Sequence, residues 1–563
     1  MELMDRQATV DLGAVSANVA AVGDRLRVGQ TGGPRIMAVV KQDAYGHGAV
    51  MCARAALAGG ATWLGVAHIP EALVLRQAGL DAPILCLMAV PGEDHEQAIK
   101  AGVDLTAGSA AHVATLAGAA RRAGRPARLQ LKADTGLSRG GATLASVSGP
   151  GGPAATWPDV LDAALTAQQQ GLATITGLWS HFACADMPGH PSIAAQLDAF
   201  QEALAVADKM GVTPEIRHLA NTAGALTVPE SRFDLVRIGG AAYGLSTLPG
   251  GAPPWLRPAM TLRARLALVK RVPADTGVSY GHRYVTDRET TLGLVPLGYA
   301  DGVRRALACL RLVSLHGKRW PIAGTVCMDQ FVVDFGDEPV APGDEVILFG
   351  PGGDGEPTAQ EWGEALGTIS YEIVTSIGPR VPRTFITNGL RCLPTEQELR
   401  MSGRPAQASA PAKTLLVPTD SDMRALGERL AGLLRAGDLL ILSGPLGAGK
   451  TTLVQGIGAG LGVRGPVTSP TFVIARVHPG PVVPLVHADA YRLGSVLEVD
   501  DLDLDTDSSV TVVEWGEGLA EGLADDRLEI AISPDPDSER RTVRITGHGE
   551  RWHAALAAAG DRL

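Results

Sequence analysis

The chain has 563 residues, more than one hydrophobic core organises, so its length predicts about three folding units. With 45% hydrophobic and 19% charged residues and a formal net charge of -11, its composition excludes a fibrous or wholly disordered protein and offers no general attraction to nucleic acid. Cysteines at positions 52, 86, 184, 309, 327 and 392 form no CxxC pair, the first residues carry no basic-then-apolar leader, and no apolar run is long enough to span a bilayer, so a reducing cytoplasm is expected.

From Ala8 to about Gly240, short apolar runs (RIMAVV, WLGVA, PILCLM, VDLTA, ARLQLKA, TITGLWS) alternate with Ala-rich helical stretches, a βα rhythm that predicts a parallel sheet closed into a (β/α)8 barrel. Lys41, Arg139 and His181 each follow a predicted strand, so the barrel would gather them at one mouth. SVSGPGGPAAT, at Ser146 to Thr156, reads as a surface loop of the barrel. After about Pro258 the segments TLRARLALVKRV, TTLGLVPLGY, RLVSLHGKRWPIAG and EVILFG follow one another without long helices, which predicts a mostly β domain. MSGRPAQASAPAK has no apolar periodicity and reads as a flexible linker. A helical segment from Asp420 to Arg435 then leads into DLLILSGPLGAGKTTLVQGI, a strand, glycine loop and helix, followed by strand candidates VPLVHAD and SVTVVEW, as in a small α/β nucleotide-binding domain. The predicted boundaries are 1–245 for the barrel, 246–394 for the β domain, 395–413 for the linker and 414–563 for the P-loop domain.

Lys41 opens KQDAYGHG directly after an apolar strand. Alone, such a lysine is more often a solvated residue, and Tyr280 or His181 alone more often a packed or hydrogen-bonded one. Together with KADTGLSRGG at Lys132, SHFACAD at Ser180, HLANTAGAL at His218, VRIGGAAYGL at Val236, VSYGHRY at Val278, and then PLGYADG, GTVCMDQ and TISYE, it resembles alanine racemase in the order of every segment, across Ala8 to about Leu393.

The resemblance implies that Lys41 is the lysine linked to pyridoxal 5'-phosphate (PLP) and one of two catalytic bases, with Tyr280 the other. It places Tyr45 on the phosphate and Arg237 opposite the pyridine nitrogen. A guanidinium there hydrogen-bonds the nitrogen without protonating it, which favours return of a proton to the α-carbon. His181 and Arg237 would stand behind Tyr280, and Asn221, Thr222, Gly239, Gly240 and Tyr371 would complete the cofactor site. Arg139 would contact both cofactor and substrate carboxylate, and the backbone near Met328 the substrate. Family members are homodimers in which the tyrosine base and the CMD segment serve the neighbouring subunit. Lys132 matches a position that some relatives carry as a carbamate. The chain departs from the pattern at Gln42, where alanine is usual, and at Thr325, where an arginine often precedes CMD.

The loop from Gly444 to Thr451 matches GxxxxGK[ST], whose backbone N–H groups turn inward around phosphates at a helix start. Gly444, Gly447, Ala448, Gly449, Lys450, Thr451 and Thr452 are the ATP-binding candidates, with Lys450 for the β and γ phosphates and Thr451 for Mg2+. The sequel SPTF, HADAYRL and VEWGE resembles the small ATPase of tRNA threonylcarbamoyladenosine biosynthesis, the YjeE/TsaE family. That likeness implies that Asp489 holds Mg2+, that Glu514 acts near the γ-phosphate, that Thr471 senses it, and that TsaD/TsaB-like tRNA-modification subunits are partners.

The whole therefore reads as a bifunctional protein: L-/D-alanine interconversion for cell-wall precursors, and ATP hydrolysis for tRNA modification. Alternatives open at this point are a racemase for serine or several amino acids, a PLP-binding regulator without turnover, and a small-molecule kinase in place of the modification ATPase. No strong direct nucleic-acid binding and no membrane association are expected.

Overall fold

The computed structural model describes residues 5–27, 33–144, 148–149, 152–153, 156–387, 412–445, 447–470, 475–490, 508–516, 520, 523–524, 526–535, 540–549, 551–552 and 555–556. Two compact units divide at Pro405 and Ala406.

The first strand, β1 (Arg6–Asp11), precedes eight barrel strands: β2 (Arg35–Val39), β3 (Trp63–Val66), β4 (Ile84–Cys86), β5 (Asp104–Ala107), β6 (Ala127–Asp134), β7 (Ala173–Trp179), β8 (Ile216–His218) and β9 (Leu235–Ile238). They pair in parallel in the order β8-β7-β6-β5-β4-β3-β2-β9. A bridge between Asn221 and Arg237 links the last two edges. Helices between the strands cover the outside, so strand residues facing them are Leu, Ile, Val and Ala, as in Leu129, Leu131 and Ala133 of β6. The other face of β6 carries Arg128, Gln130, Lys132 and Asp134 into the barrel, a period-2 polar row.

The second part of this unit contains β10 (Met260–Arg265), β11 (Leu268–Val272), β12 (Thr290–Val295), β13 (Val313–Leu315), β14 (Lys318–Trp320), β15 (Phe331–Gly336), β16 (Glu345–Phe349) and β17 (Arg383–Ile386). One sheet runs β14-β13-β16-β10-β1-β17, and another β11-β12-β15. Two differences from the sequence reading stand out. Strand β1, expected with the barrel, lies between β10 and β17, because its backbone groups pair antiparallel with β10 and parallel with β17. The single run TLRARLALVKRV splits into β10 and β11, which belong to different sheets. The β13–β14 hairpin turns at His316 (φ 54°) and Gly317 (φ 71°), the paired positive φ that fits a tight turn to strand twist. Short helices Ala359–Leu366 and Ser370–Thr375 interrupt this mostly β part, and the second carries Tyr371.

The second unit is a seven-stranded sheet of β18 (Ala412–Val417), β19 (Leu439–Ser443), β20 (Ala475–His478), β21 (Leu485–Asp489), β22 (Val510–Glu514), β23 (Arg527–Pro534) and β24 (Arg541–His548), ordered β18-β24-β23-β19-β22-β21-β20. Strand β19 is flanked in parallel by β22 and β23, and its end runs into the glycine loop and helix Lys450–Leu461. Ala412 and Lys413, assigned from sequence to the linker, already pair with β24. The rest of that segment, 395–411, lies outside the described residues, as do Thr471, Phe472, Tyr491, Arg492, Leu493 and Glu517. Among the described residues no helix is long and apolar enough to cross a membrane.

Candidate functional sites

Lys41 begins a turn of rare geometry. Gln42, Asp43, Ala44 and Tyr45 all have φ between 50° and 57°, consecutive left-handed residues without a glycine among them. Each such residue costs roughly 1–2 kcal/mol, so surrounding bonds must hold the turn. Glu71 does so from one side, accepting from the Gln42 N–H at 2.5 Å and from the Ala67 and His68 N–H groups. Asp43 accepts from the Ala49 N–H at 2.6 Å, and Arg383 donates to the Gly46 carbonyl. Beneath the turn, buried His47 donates from Nδ1 to the Ala44 and Tyr45 carbonyls and stacks on Tyr243 at 4.7 Å. Burial lowers the His47 pKa to about 4.

The turn delivers Lys41 and Tyr45 to a cavity of about 670 Å³ whose lining also includes Arg139, His181, Asn221, Thr222, Arg237, Gly239, Gly240 and Tyr371. Burial first, and then the nearby Arg139 guanidinium, lower the Lys41 pKa, while Glu71 opposes them. Lys132 also lines the cavity, lies over the Trp179 ring at 4.6 Å, and is lowered to about 8 by burial and by Arg139 and Arg237. Tyr45 and Tyr371 meet edge to face at 5.5 Å, so the β part of the chain contributes to the barrel's cavity.

Arg237 is buried and donates to His218 Nδ1 at 2.8 Å, His181 Nδ1 at 2.9 Å, and the Ser180 and Leu219 carbonyls. Burial lowers its pKa to about 9, which leaves it cationic at neutral pH. Because a guanidinium only donates, both imidazoles must present a lone pair at Nδ1 and carry their proton on Nε2. Burial, followed by Arg237, drives both well below the ordinary histidine pKa, consistent with neutral rings. The His218 Nε2–H then donates to Gln130 Oε1 at 2.8 Å, and Gln130 Nε2 donates to Asp104 Oδ2 at 2.9 Å. Thr176 and Arg128 complete the bonds to Asp104. Sequence reasoning missed His218, Gln130, Asp104 and Trp179 as contributors. The legible signal was the alternating polar face of ARLQLKAD.

The glycines form a cradle that side chains would fill. A Cβ on Gly239 would stand 2.5 Å from the Tyr45 hydroxyl, and one on Gly240 2.2 Å from the Tyr371 ring. A close main chain, a permanent cation and two phenols suit a flat, phosphorylated, nitrogen-containing ring. Tyr280 and Met328 do not line this cavity; they are 71% and 53% exposed on the same chain's β part.

In the second unit, Lys450, His487, Asp489 and Glu514 are buried where β19, β21 and β22 end. Lys450 donates to the Gly444 and Pro445 carbonyls at 2.7 and 3.0 Å and lies 3.5 Å over the Trp515 ring. The Thr451 hydroxyl donates to Glu514 at 2.9 Å, which also accepts from His487 Nε2 at 2.9 Å. Ser469 reaches Asp489 at 3.4 Å. Gly444, Gly447 and Gly449 have φ of 140°, 78° and 102°, as a loop that turns its N–H groups inward requires. An oxygen donor set of few side chains suits Mg2+, which takes much of its shell from phosphates and water.

Fold and sites thus define a barrel of the PLP-binding class joined to a P-loop nucleotide-binding domain. Residues 10–247 match the alanine racemase N-terminal domain model, 259–385 the alanine racemase C-terminal domain, and 417–543 the threonylcarbamoyl adenosine biosynthesis protein TsaE. The alanine racemase of Thermobifida fusca is 57% identical over 379 residues, 67% of this chain and 97% of that protein. The crystal structure of alanine racemase from D-cycloserine-producing Streptomyces lavendulae is 51% identical, with a TM-score of 0.64 over 69% of this chain and 99% of that one. Alanine racemase from Bacillus anthracis with bound L-Ala-P is 35% identical, with a TM-score of 0.61 over 69% and 97%. The chain belongs to the alanine racemase family, PLP-dependent isomerases, and carries in the same polypeptide a P-loop ATPase domain of the TsaE family, whose ligands are ATP and Mg2+.

Proposed function

We propose that the first unit interconverts L- and D-alanine as a homodimer in the cytoplasm, for cell-wall precursors, with Lys41 and Tyr280 as the two bases. The observation that carries this is the convergence of Lys41, Tyr45, Arg139, His181, Arg237 and Tyr371 on one cavity behind a glycine cradle. When bound there, PLP acidifies the substrate's Cα–H bond. Tyr45, Asn221, Thr222, Gly239, Gly240 and Tyr371, which line the cavity, would hold it, and Arg237 would supply the hydrogen bond for its ring nitrogen. Arg237 would donate a hydrogen bond and keep its own proton, since a guanidinium holds its proton strongly and its Nη1 and Nη2 groups already donate to two neutral imidazoles and two carbonyls. Arg139, with the main chain near Met328, orients the substrate carboxylate. The lowered Lys41 pKa enlarges its neutral fraction, the form that accepts a proton on one face. Tyr280, from the neighbouring subunit, serves the other face, with His181 and Arg237 behind it.

The second unit holds MgATP on the N–H groups of Gly444, Gly447, Ala448, Gly449, Thr451 and Thr452 and on the Lys450 amine. Thr451 and Asp489 attend the metal, and Glu514 attends the γ-phosphate. Its hydrolysis supports threonylcarbamoyladenosine formation on tRNA with TsaD/TsaB-like subunits.

The test is loss of the circular-dichroism signal of L-alanine by PLP-loaded protein beside Lys41→Ala and Tyr280→Phe variants. Racemisation by the parent and roughly 10²–10⁴-fold loss in each variant is expected. A folded, PLP-loaded dimer inactive on alanine would overturn the reading.

A further inference from the structure

Tyr280 stands on a turn with unfavourable backbone geometry. Ser279 and His282 have φ of 61° and 44°, left-handed values without a glycine's freedom, and Gly281 between them has φ 73°. What fixes this turn is a pair of hydrogen bonds running in opposite directions to the neighbouring segment. Ser279 Oγ donates to the Thr325 carbonyl at 2.7 Å, and Thr325 Oγ1 donates to the Tyr280 carbonyl at 3.0 Å. Thr325 is buried at 3% exposure, whereas the Tyr280 side chain projects outward. Close approach of the two segments is built in: a Cβ on Gly324 would lie 2.5 Å from the Val278 carbonyl. Tyr284, at the far end of the turn, is anchored by its hydroxyl to Asp334 at 2.6 Å.

We propose that Thr325 is a positioning residue for Tyr280: its hydroxyl clamps the Tyr280 main chain and thereby aims the phenol at the substrate's α-carbon. This deepens the reading of Tyr280 as a base and rests on it. Removing the hydroxyl leaves the Tyr280 carbonyl without that donor and releases a strained turn, so the phenol drifts from the reacting carbon while the Lys41 side of the cavity is untouched.

Racemisation has two proton transfers in series, and slowing only one makes that one rate-limiting. The α-deuterium isotope effect then rises for the alanine enantiomer whose proton Tyr280 removes and falls for the other. A merely structural loss lowers the number of active sites and moves neither.

The experiment compares Thr325→Val, Thr325→Ser, Ser279→Ala and Tyr280→Phe as PLP-loaded dimers, reading kcat, KM and isotope effects for both enantiomers, with cofactor absorbance as control. Thr325→Val is expected to lose about 10- to 100-fold in kcat with little change in KM, with isotope effects that diverge, and Thr325→Ser to restore both. Parent-like kcat in Thr325→Val, unchanged isotope effects despite lost activity, or failure of Thr325→Ser to restore it would overturn the proposal. If Thr325→Val does not fold, Ser279→Ala, which removes the opposing bond, is judged by the same divergence. Retained racemisation in Tyr280→Phe would instead refute the base assignment, an outcome separate from any result at Thr325.

Discussion

The barrel cavity and the phosphate loop solve the problem of gripping an anionic ligand in opposite ways. Around the cavity, the groups that face inward are oriented from behind. Arg237 is fixed by two imidazoles and two carbonyls, and the left-handed turn after Lys41 is held by Glu71, Asp43, His47 and Arg383. In the phosphate loop the ligand-binding candidates bond to one another: Lys450 to loop carbonyls, Thr451 to Glu514. Binding at the first site adds contacts to a geometry already set. Binding at the second exchanges existing hydrogen bonds for new ones, and such exchanges return little net free energy each. Side-chain rearrangement therefore belongs to the second site, whereas left-handed backbone occurs at both, since Trp515 beneath Lys450 has a φ of 59°.

The largest expected effect separates the two. Lys450→Ala should lower ATP turnover, measured with the partner subunits, by roughly 10²–10³-fold while leaving racemisation at the parent rate. A loss of racemisation in that variant would break the comparison, because it would couple sites on separate units.

Glycine substitutions sharpen it. An alanine at 240 places its Cβ 2.2 Å from the Tyr371 ring, so PLP affinity, titrated by absorbance, should weaken roughly 10- to 100-fold. An alanine at 447 meets no atom within 4 Å and suffers only from its φ of 78°, so nucleotide affinity should change about fivefold. Equal effects would mean that the cradle is not the tighter of the two.

The His47 support predicts acid sensitivity in the first unit. Its pKa is about 4 in the fold against an ordinary 6.5. The unfolded chain therefore binds the proton first, and the stabilising contribution, full above pH 6.5, is lost as pH falls towards 4. The His47 share of the loss is on the order of 3 kcal/mol, to be read from denaturation midpoints followed at the cofactor's absorbance, and His47→Gln should reduce that slope while His181 and His218, lowered in the same direction, keep the remainder. The smallest effect expected is none: cutting the chain between residues 403 and 411 should leave both activities unchanged, measured side by side on cut and intact protein.

Much of this was legible before any fold was known. The βα rhythm gave the barrel, the loop GPLGAGKTT between an apolar strand and a helix gave the P-loop, and the cavity-lining residues Lys41, Tyr45, Arg139, His181, Arg237 and Tyr371 came from motif order. Less legible was β1, whose six residues read equally well in either sheet until pairing partners are known. The split of TLRARLALVKRV was hidden for the same reason: a strand's hydrophobic alternation does not record which neighbour it bonds.

Sequence by itself determined the two classes of chemistry, the first through the ordered resemblance of the segments that accompany Lys41 and the second through a glycine loop between an apolar strand and a helix. Tertiary structure alone decided which protons sit where. Gln130 and His218 are 88 residues apart, yet their bond, ordered by Asp104 on one side and Arg237 on the other, fixes the imidazole tautomer. The left-handed turn after Lys41 and the crossed bonds between Ser279 and Thr325 are likewise invisible in composition or periodicity. They exist because distant donors and acceptors, brought together by packing, offset the strain that the local chain alone would relax.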